Sequence, residues 1–321
     1  MAYKLQKECQ EVEHVIYEKN ADIGGTWLEN RYPGAACGEF GISNAGIEKT
    51  ALIALIQDVP SHAYTFAFAL NPNWPRWYSY APDIHAYLSK VVEVFDLRKY
   101  MTFHTEVVRA EWNDEKGKWK ITLKQSIPGS SEPPREFEDE CDVMFYATGI
   151  LNNFKWPNLP GLDKFKGKIM HTARWPEDYQ KEQWNGERVA VIGSGSSSIQ
   201  TVPTMQPHVG HMDLFIRTGT WFIQVANNFG HNKEYSEEEK EQFRRDLKKC
   251  LDHSKEIEQN VNGLFSAFFS GSEAQQMAQK YFRARMAEII KDERLLKGFT
   301  PTWEIGCESP RVSESIWWWW Y

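Results

Sequence analysis

No two of the five cysteines form a CxxC pair, and no cluster has zinc-ligand spacing. A disulfide frame and a structural zinc site are both excluded on that ground, and reduced thiols in an intracellular, cytoplasmic protein are expected. Long apolar runs are also missing. The longest, Ala51 to Ile56, is far too short to cross a bilayer, so no membrane partner is expected. Lys4, Lys7 and Glu8 interrupt any apolar region at the start, so no secretory leader is expected in this stretch. Positive charge is scarce relative to negative: the net charge is -7, with no basic stripe to offset it. A general nucleic-acid binder is disfavoured accordingly. The 321 residues are enough for two domains, and 41% apolar with 25% charged residues is ordinary for a globular protein.

The pattern along the chain reads as α/β. Ala2 to Cys9 has helical character, and Val12 to Glu18 reads as a buried strand ending in an acid. Strands are expected at Met101–Trp112, Lys118–Lys124 and Cys141–Tyr146, with a Pro/Gly/Ser loop at 127–135. Val189–Ile192 is a short β-branched strand running into Gly193; a helix follows from Ile199, then a strand at Met212–Arg217. Two β–loop–helix–β halves imply two dinucleotide-binding, Rossmann-like domains. From 236 to about 292 charged helices take over. Ser236 and Glu239 form a capping box, with Phe243, Leu247 and Leu251 expected on one face. Met277, Tyr281 and Ala284 are the expected inner stripe of a second helix, about Glu273 to Ile290.

Gly193-Ser194-Gly195-Ser196-Ser197-Ser198 lies between a β-branched strand and a helix, where a dinucleotide pyrophosphate would meet free N–H groups. Glycines there allow the backbone to approach the phosphates, so residues Gly193 to Gln200, with Ile199, are candidate NADP contacts. Arg217 and Thr218 follow the next strand, where a ribose 2′-substituent would lie. An arginine rather than an acid favours NADP over NAD. In the first half, Glu18 suits two ribose hydroxyls and is followed by Gly24-Gly25-Thr26-Trp27.

Residues Phe165 to Pro176 have the form F-x-G-x-x-x-H-x-x-x-W-P. With the glycine loop behind it, this stretch resembles the signature of Baeyer–Villiger monooxygenases, class B flavoproteins that use NADPH and O2 to insert oxygen beside a ketone. Trp175-Pro176 favours that branch over the N- and S-oxygenating flavin monooxygenases, which stay as an alternative. The resemblance implies FAD contacts at Glu18, Gly25, Thr26, Trp27, Cys37, Asp58 and Tyr64, at Val107, and at Ala147-Thr148-Gly149, where the chain crosses to the NADP domain. Asn30 to Cys37 resembles the family's loop beneath the flavin. The resemblance further implies that Asp58 is the catalytic carboxylate that poises an arginine, and that His171 couples the domains and positions NADPH. No metal is implied. The small-molecule partners would be a ketone and O2.

Three departures from the family pattern shape the expectations. Met1 to Gln6 resembles the helix after the family's first G-x-G-x-x-G loop, which makes the FAD domain incomplete. Residues 38–57 interrupt Tyr-Pro-Gly-Ala-x-Cys and Asp-Val-x-Ser. We hypothesise a retained intron there, since Gly38-Glu39-Phe40 can be encoded with GTGAGT and Gln57 by CAG; genomic sequence without GT at codon 38 would exclude it. Glu308-Ser309 stand where the family has an arginine pair after Cys307, and 308–321 reads as an aberrant tail ending in Trp317 to Trp320 and Tyr321. The expected layout is a partial FAD-binding domain over 1–150, and an NADP-binding domain over 151–307 with its helical insertion. The chain is then expected to be an inactive fragment of such an enzyme. A non-catalytic dinucleotide-binding protein is the other alternative.

Overall fold

The computed structural model describes residues 1–37, 59–149, 153–221, 232–263 and 265–305. Expected features on Asp58, on residues 38–57 and on 306–321 lie outside the described residues. Packing divides the chain into two compact units, Met1–Glu29 with His85–Pro157, and Asn30–Ile84 with Asn158 onward. Asn30–Ile84 therefore groups by packing with the later part of the chain, whereas the expected layout places it within the FAD-binding domain over 1–150.

The first unit contains α1 (Ala2–Glu8), β1 (Ile16–Tyr17), α2 (Thr26–Glu29) and most of α3 (Ala81–Val94). It continues with β2 (Met101–Thr102), β3 (Thr105–Asn113), β4 (Lys118–Gln125) and β5 (Arg135–Cys141). β1 and β2 pair in parallel, while β3, β4 and β5 form an antiparallel meander. Alternation along β4 puts Ile121 and Leu123 on the buried side, as a period of two requires. The other side carries the ion pairs Lys116–Glu140, Lys118–Asp142 and Lys120–Glu138. Exposed pairs of this kind add little to stability, because water and salt screen them.

The second unit contains α4 (Lys181–Trp184), β6 (Arg188–Ile192), α5 (Ser196–Met205) and β7 (His211–Phe215). β6 and β7 pair in parallel from Arg188↔His211 to Ile192↔Phe215, so this β–loop–α–β unit forms as expected. After it come α6 (Glu237–Arg245), α7 (Leu247–Gly263), α8 (Glu273–Ile289) and α9 (Glu293–Phe299). Ser236 Oγ accepts from the Glu239 amide at 3.2 Å and Glu239 Oε2 accepts from the Ser236 amide at 2.8 Å, which is the expected capping box. Trp221, Ile257 and Ile305 form one core cluster, tied by Trp221 Nε1 donating to the Trp303 carbonyl at 2.8 Å.

Several element expectations are corrected. Residues 142–146 carry no strand; Val143, Phe145 and Tyr146 are exposed, and among the described residues no neighbouring strand takes up their backbone groups. The first strand covers only Ile16–Tyr17 of 12–18, because β2, its partner, is equally short. The strand expected over 101–112 is split at 103–104, where His104 adopts φ +54°. β5 lies within a charged stretch whose Phe137, Asp139 and Cys141 share one face; its composition masked it. In α8, Met277, Tyr281 and Ala284 face solvent, and Gln275 and Met286 are the buried residues instead. Leu247 is also exposed, because the helix breaks at Asp246 and restarts with a different face inward.

Residues 59–80 pack on α6 and α7 through His62, which is 1% exposed. Its ring lies 4.8 Å from that of His253, 5.2 Å from Tyr235 and 5.3 Å from Phe243, and its Nδ1 has no hydrogen-bond partner. Burial, with the neighbouring His253, pushes the His62 imidazole down to about 3, and burial lowers His253 as well. Both are neutral when folded and titrate near 6.5 when unfolded, so stability is fully present above that value and falls as pH drops toward 3. His62 steepens the fall by up to about 1.4 kcal/mol per pH unit over that range. The urea midpoint is therefore expected to be lower at about pH 5 than at about pH 7.5. His62→Phe, which keeps the ring contacts, should flatten that dependence; an equally steep profile in the variant would contradict the assignment.

Candidate functional site

The glycine loop joins β6 to α5 through an open turn. β6 ends at Ile192, Gly193 turns with φ +114°, and Gly195 caps α5 in an extended conformation. Gly193 donates its N–H to the Phe215 carbonyl at 2.9 Å, which fixes the loop to β7. Cβ atoms added at Gly193 or Gly195 would meet nothing within 4 Å, so the backbone is open to a ligand. The first-turn amides of α5 have no intrahelical acceptor and aim at that space. Ser198 Oγ donates to the Gly193 carbonyl at 2.8 Å, and Ser194 Oγ is 2.9 Å from Thr220 Oγ1. Two of the serines thus brace the loop. Arg217 and Thr218 are exposed, two residues past the end of β7, and Arg217 makes no ion pair among the described residues. Gln200 differs from its expected role: it is buried, and its side chain is committed to Tyr32 and Ala36.

The Phe165–Pro176 stretch packs as one structural unit. Phe165 folds over Gly167, where an added Cβ would come within 2.7 Å of the ring. His171 heads a short 3-10 turn, its Nδ1 accepting from the Ala173 amide at 3.1 Å. Nδ1 is therefore unprotonated. Burial, with Arg174 nearby, lowers the imidazole below its usual range and keeps it neutral. Trp175 is buried and donates Nε1–H to the Tyr179 carbonyl at 2.7 Å. Tyr179 OH donates to Glu187 at 2.5 Å, and burial together with that carboxylate pushes the phenol up to about 12.

In the first unit, Glu18 sits just past β1, half-buried, with Oε1 accepting from the Asn20 amide at 2.8 Å. Gly24 and Gly25 take φ +117° and +51°, and a Cβ at Gly24 would lie 2.6 Å from His85. His85 Nε2 in turn donates to the Ile23 carbonyl at 3.0 Å, so only glycine fits. Thr26 and Trp27 open α2, Val107 is partly exposed at a bulge in β3, and Ala147-Thr148-Gly149 is exposed, with Gly149 at φ +69°.

In the second unit, Cys37 is buried, its Sγ accepting from the Ser79 amide at 3.1 Å and lying 3.6 Å from Ser61 Oγ. Tyr64 ends the 3-10 turn that starts at Ser61 and is half-buried. Among the described residues no group of three His, Cys, Asp or Glu is arranged to hold a metal ion, and no helix is long and apolar enough to cross a membrane.

A family model for flavin-binding monooxygenase-like proteins matches residues 6–282, and the chain belongs to that family. The FAD-binding monooxygenase moxY of Dothistroma septosporum is 57% identical over 96% of this chain and 46% of its own length. A Baeyer-Villiger monooxygenase of Streptomyces coelicolor is 33% identical over 98% of this chain and 53% of its own. The chain spans about half the length of the curated relatives it matches. Among solved structures, cyclohexanone monooxygenase from Rhodococcus sp. Phi1 bound to NADP+ superposes with a TM-score of 0.69 at 26% identity, covering 95% of this chain and 58% of that one. The α/β class and the family expected from the sequence are both supported by these likenesses.

The flanks of the 38–57 segment meet. The Val59 amide donates to the Cys37 carbonyl at 3.1 Å, which closes a neck. Removing 38–57 would leave Asp58 alone to span that bond, which the reach of an inverse γ-turn allows. It would also remove the loop-closure entropy, roughly 2–3 kcal/mol for such a length. The deletion variant is expected to fold with a melting temperature equal to or above that of the parent. Loss of cooperative unfolding would show that the segment is integral.

Proposed function

We propose that this chain supplies the NADP(H)-binding part, and some of the FAD-binding part, of a flavin-dependent monooxygenase whose whole form performs Baeyer–Villiger oxidation of a ketone. The observation that carries the reading is the open N-terminus of α5 behind the Gly193 turn, in the same unit as the Phe165–Pro176 signature. When bound, NADPH would supply the hydride that reduces FAD, and FAD would supply the O2 chemistry that inserts one oxygen atom beside the carbonyl while the other leaves as water. The chain's own residues bind and orient. The amides of Gly195 to Ser198 would hold the pyrophosphate, and Arg217 the 2′-phosphate. Glu18 would hold a flavin ribose, with Gly24-Gly25 bringing backbone close to that dinucleotide. The neutral His171, with its Nδ1 occupied by Ala173, is suited to positioning rather than to proton transfer.

Glu308-Ser309, in place of the arginine pair, and the segment at 38–57 both favour a chain that does not turn over ketones by itself. The relatives' names favour a flavoprotein monooxygenase over a protein that only binds dinucleotides. The scattered cysteines, of which Cys9, Cys37, Cys141 and Cys250 are free, favour a reducing, cytoplasmic setting.

Calorimetric titration of the chain with NADP+ and with NAD+ tests the cofactor reading. NADP+ should bind more tightly, and Arg217→Ala should weaken it about tenfold while leaving NAD+ unchanged. Equal affinity for the two nucleotides in the parent would sink it. Gly195→Ala gives a second test, since its backbone is extended and its surroundings open. It should leave the melting temperature nearly unchanged yet weaken NADP+, whereas Gly193→Ala, strained at φ +114°, should lower both.

A further inference from the structure

Gln200 occupies the second turn of α5, and its position in the glycine-loop sequence made it a candidate nucleotide contact. The structure assigns it elsewhere. The side chain is 3% exposed, and both ends of its amide are used. Oε1 accepts from the Tyr32 hydroxyl at 2.8 Å, and Nε2 donates to the Ala36 carbonyl at 3.1 Å, both in buried surroundings. Between those two anchors lies Gly34, at φ +81°. A Cβ there would sit 2.3 Å from Thr204 Oγ1 and 2.6 Å from the Gln200 carbonyl oxygen, so the segment lies directly on the backbone of α5. At its other end Arg31 pairs with Glu177, the residue after Trp175-Pro176.

α5 needs this support. Pro203 lies inside the helix and has no amide to give the Ile199 carbonyl. One residue later, Thr204 Oγ1 donates back to the Gln200 carbonyl at 2.8 Å, an arrangement that bends helices. The second of these points falls where Gly34 packs. The order of the second half of α5 thus depends on the clamp, while its first turn forms the phosphate loop. Five residues separate Gly195 from Gln200, about 7.5 Å along the axis.

We propose that Gln200 is a positioning residue that couples occupancy of the Gly193–Ser198 loop to the order of residues 31–37. This rests on the reading of that loop as a dinucleotide site. An anion at the helix N-terminus stabilises α5, and a stabilised α5 holds Tyr32, Gly34 and Ala36 in place. The coupling is reciprocal: whatever loosens 31–37 also weakens the nucleotide.

Hydrogen exchange of the full chain, read by mass spectrometry with and without NADP+, tests the proposal. In the parent, NADP+ should slow exchange in peptides covering 193–205 and also in those covering 31–37, the latter by about fivefold or more. In Gln200→Leu the protection of 193–198 should persist while that of 31–37 is lost. Tyr32→Phe removes a single hydroxyl, so it serves if the Gln200 variant does not fold; it should reduce protection of 31–37 and weaken NADP+ binding together. Slowed exchange at 193–205 with none at 31–37 in the parent would overturn the coupling and leave the nucleotide reading standing. No slowing at either segment would overturn both.

Discussion

The close approach of Gly34 to the backbone of α5 is the constraint on which the second unit's site depends. No side chain can be inserted there, because the space a methyl group would take is held by Thr204 Oγ1 and the Gln200 carbonyl. A glycine permits the contact, its positive φ turns the chain between Tyr32 and Ala36, and the buried Gln200 amide then satisfies both flanks. An amide with two buried partners is costly to disturb, since removing one partner strands the other. From this contact the chain runs on to Cys37, whose backbone N–H donates to the Ser79 carbonyl and whose thiol accepts from the Ser79 amide. Ser61 Oγ donates to carbonyls of the same 76–79 stretch. One local approach thus sets the register of 30–37 against both α5 and the 59–80 segment.

The same economy applies to the Phe165–Pro176 stretch. Three fixed residues of the pattern have a local structural reason: Gly167 beneath the Phe165 ring, His171 at the head of a turn, and Trp175 buried with its indole N–H bonded to the Tyr179 carbonyl. Fixed residues at fixed spacing are what a short irregular segment needs in order to hold one shape, because it has no ladder of repeating hydrogen bonds to do so. Arg31 then joins this stretch, through Glu177, to the segment that packs on α5.

What was legible in the sequence was local. The Gly193 loop lies between a strand and a helix, and the Ser236 box opens α6, because cap and turn chemistry acts over a few residues. What was illegible depended on partners far along the chain. β5 is charged enough to read as loop, yet it forms because β4 offers it a partner. Residues 143–146 read as a strand, yet none of the described residues pairs with them. The stripe chosen for α8 followed apolar residue type, whereas the buried side is set by Gln275, which donates to the Ile305 carbonyl 30 residues away. Gln200 shows the same limit within the site. Its motif suggested a ligand contact, while its partners lie 168 and 164 residues earlier.

This difference between local and long-range information bears on how the 38–57 segment can be accommodated. An insertion is tolerated where its two flanks are held together by contacts that do not involve it. Cys37 is held by Ser79, and Ser61 by the 76–79 stretch, so both flanks are fixed before the Val59 amide reaches the Cys37 carbonyl. Among the described residues, the contacts that hold the neck are thus made without residues 38–57. Function is a separate matter, because Asp58, the carboxylate that the family resemblance singles out, stands at the very edge of the insertion. Packing at the neck therefore bears on the fold, whereas the reading of Asp58 rests on the family pattern alone.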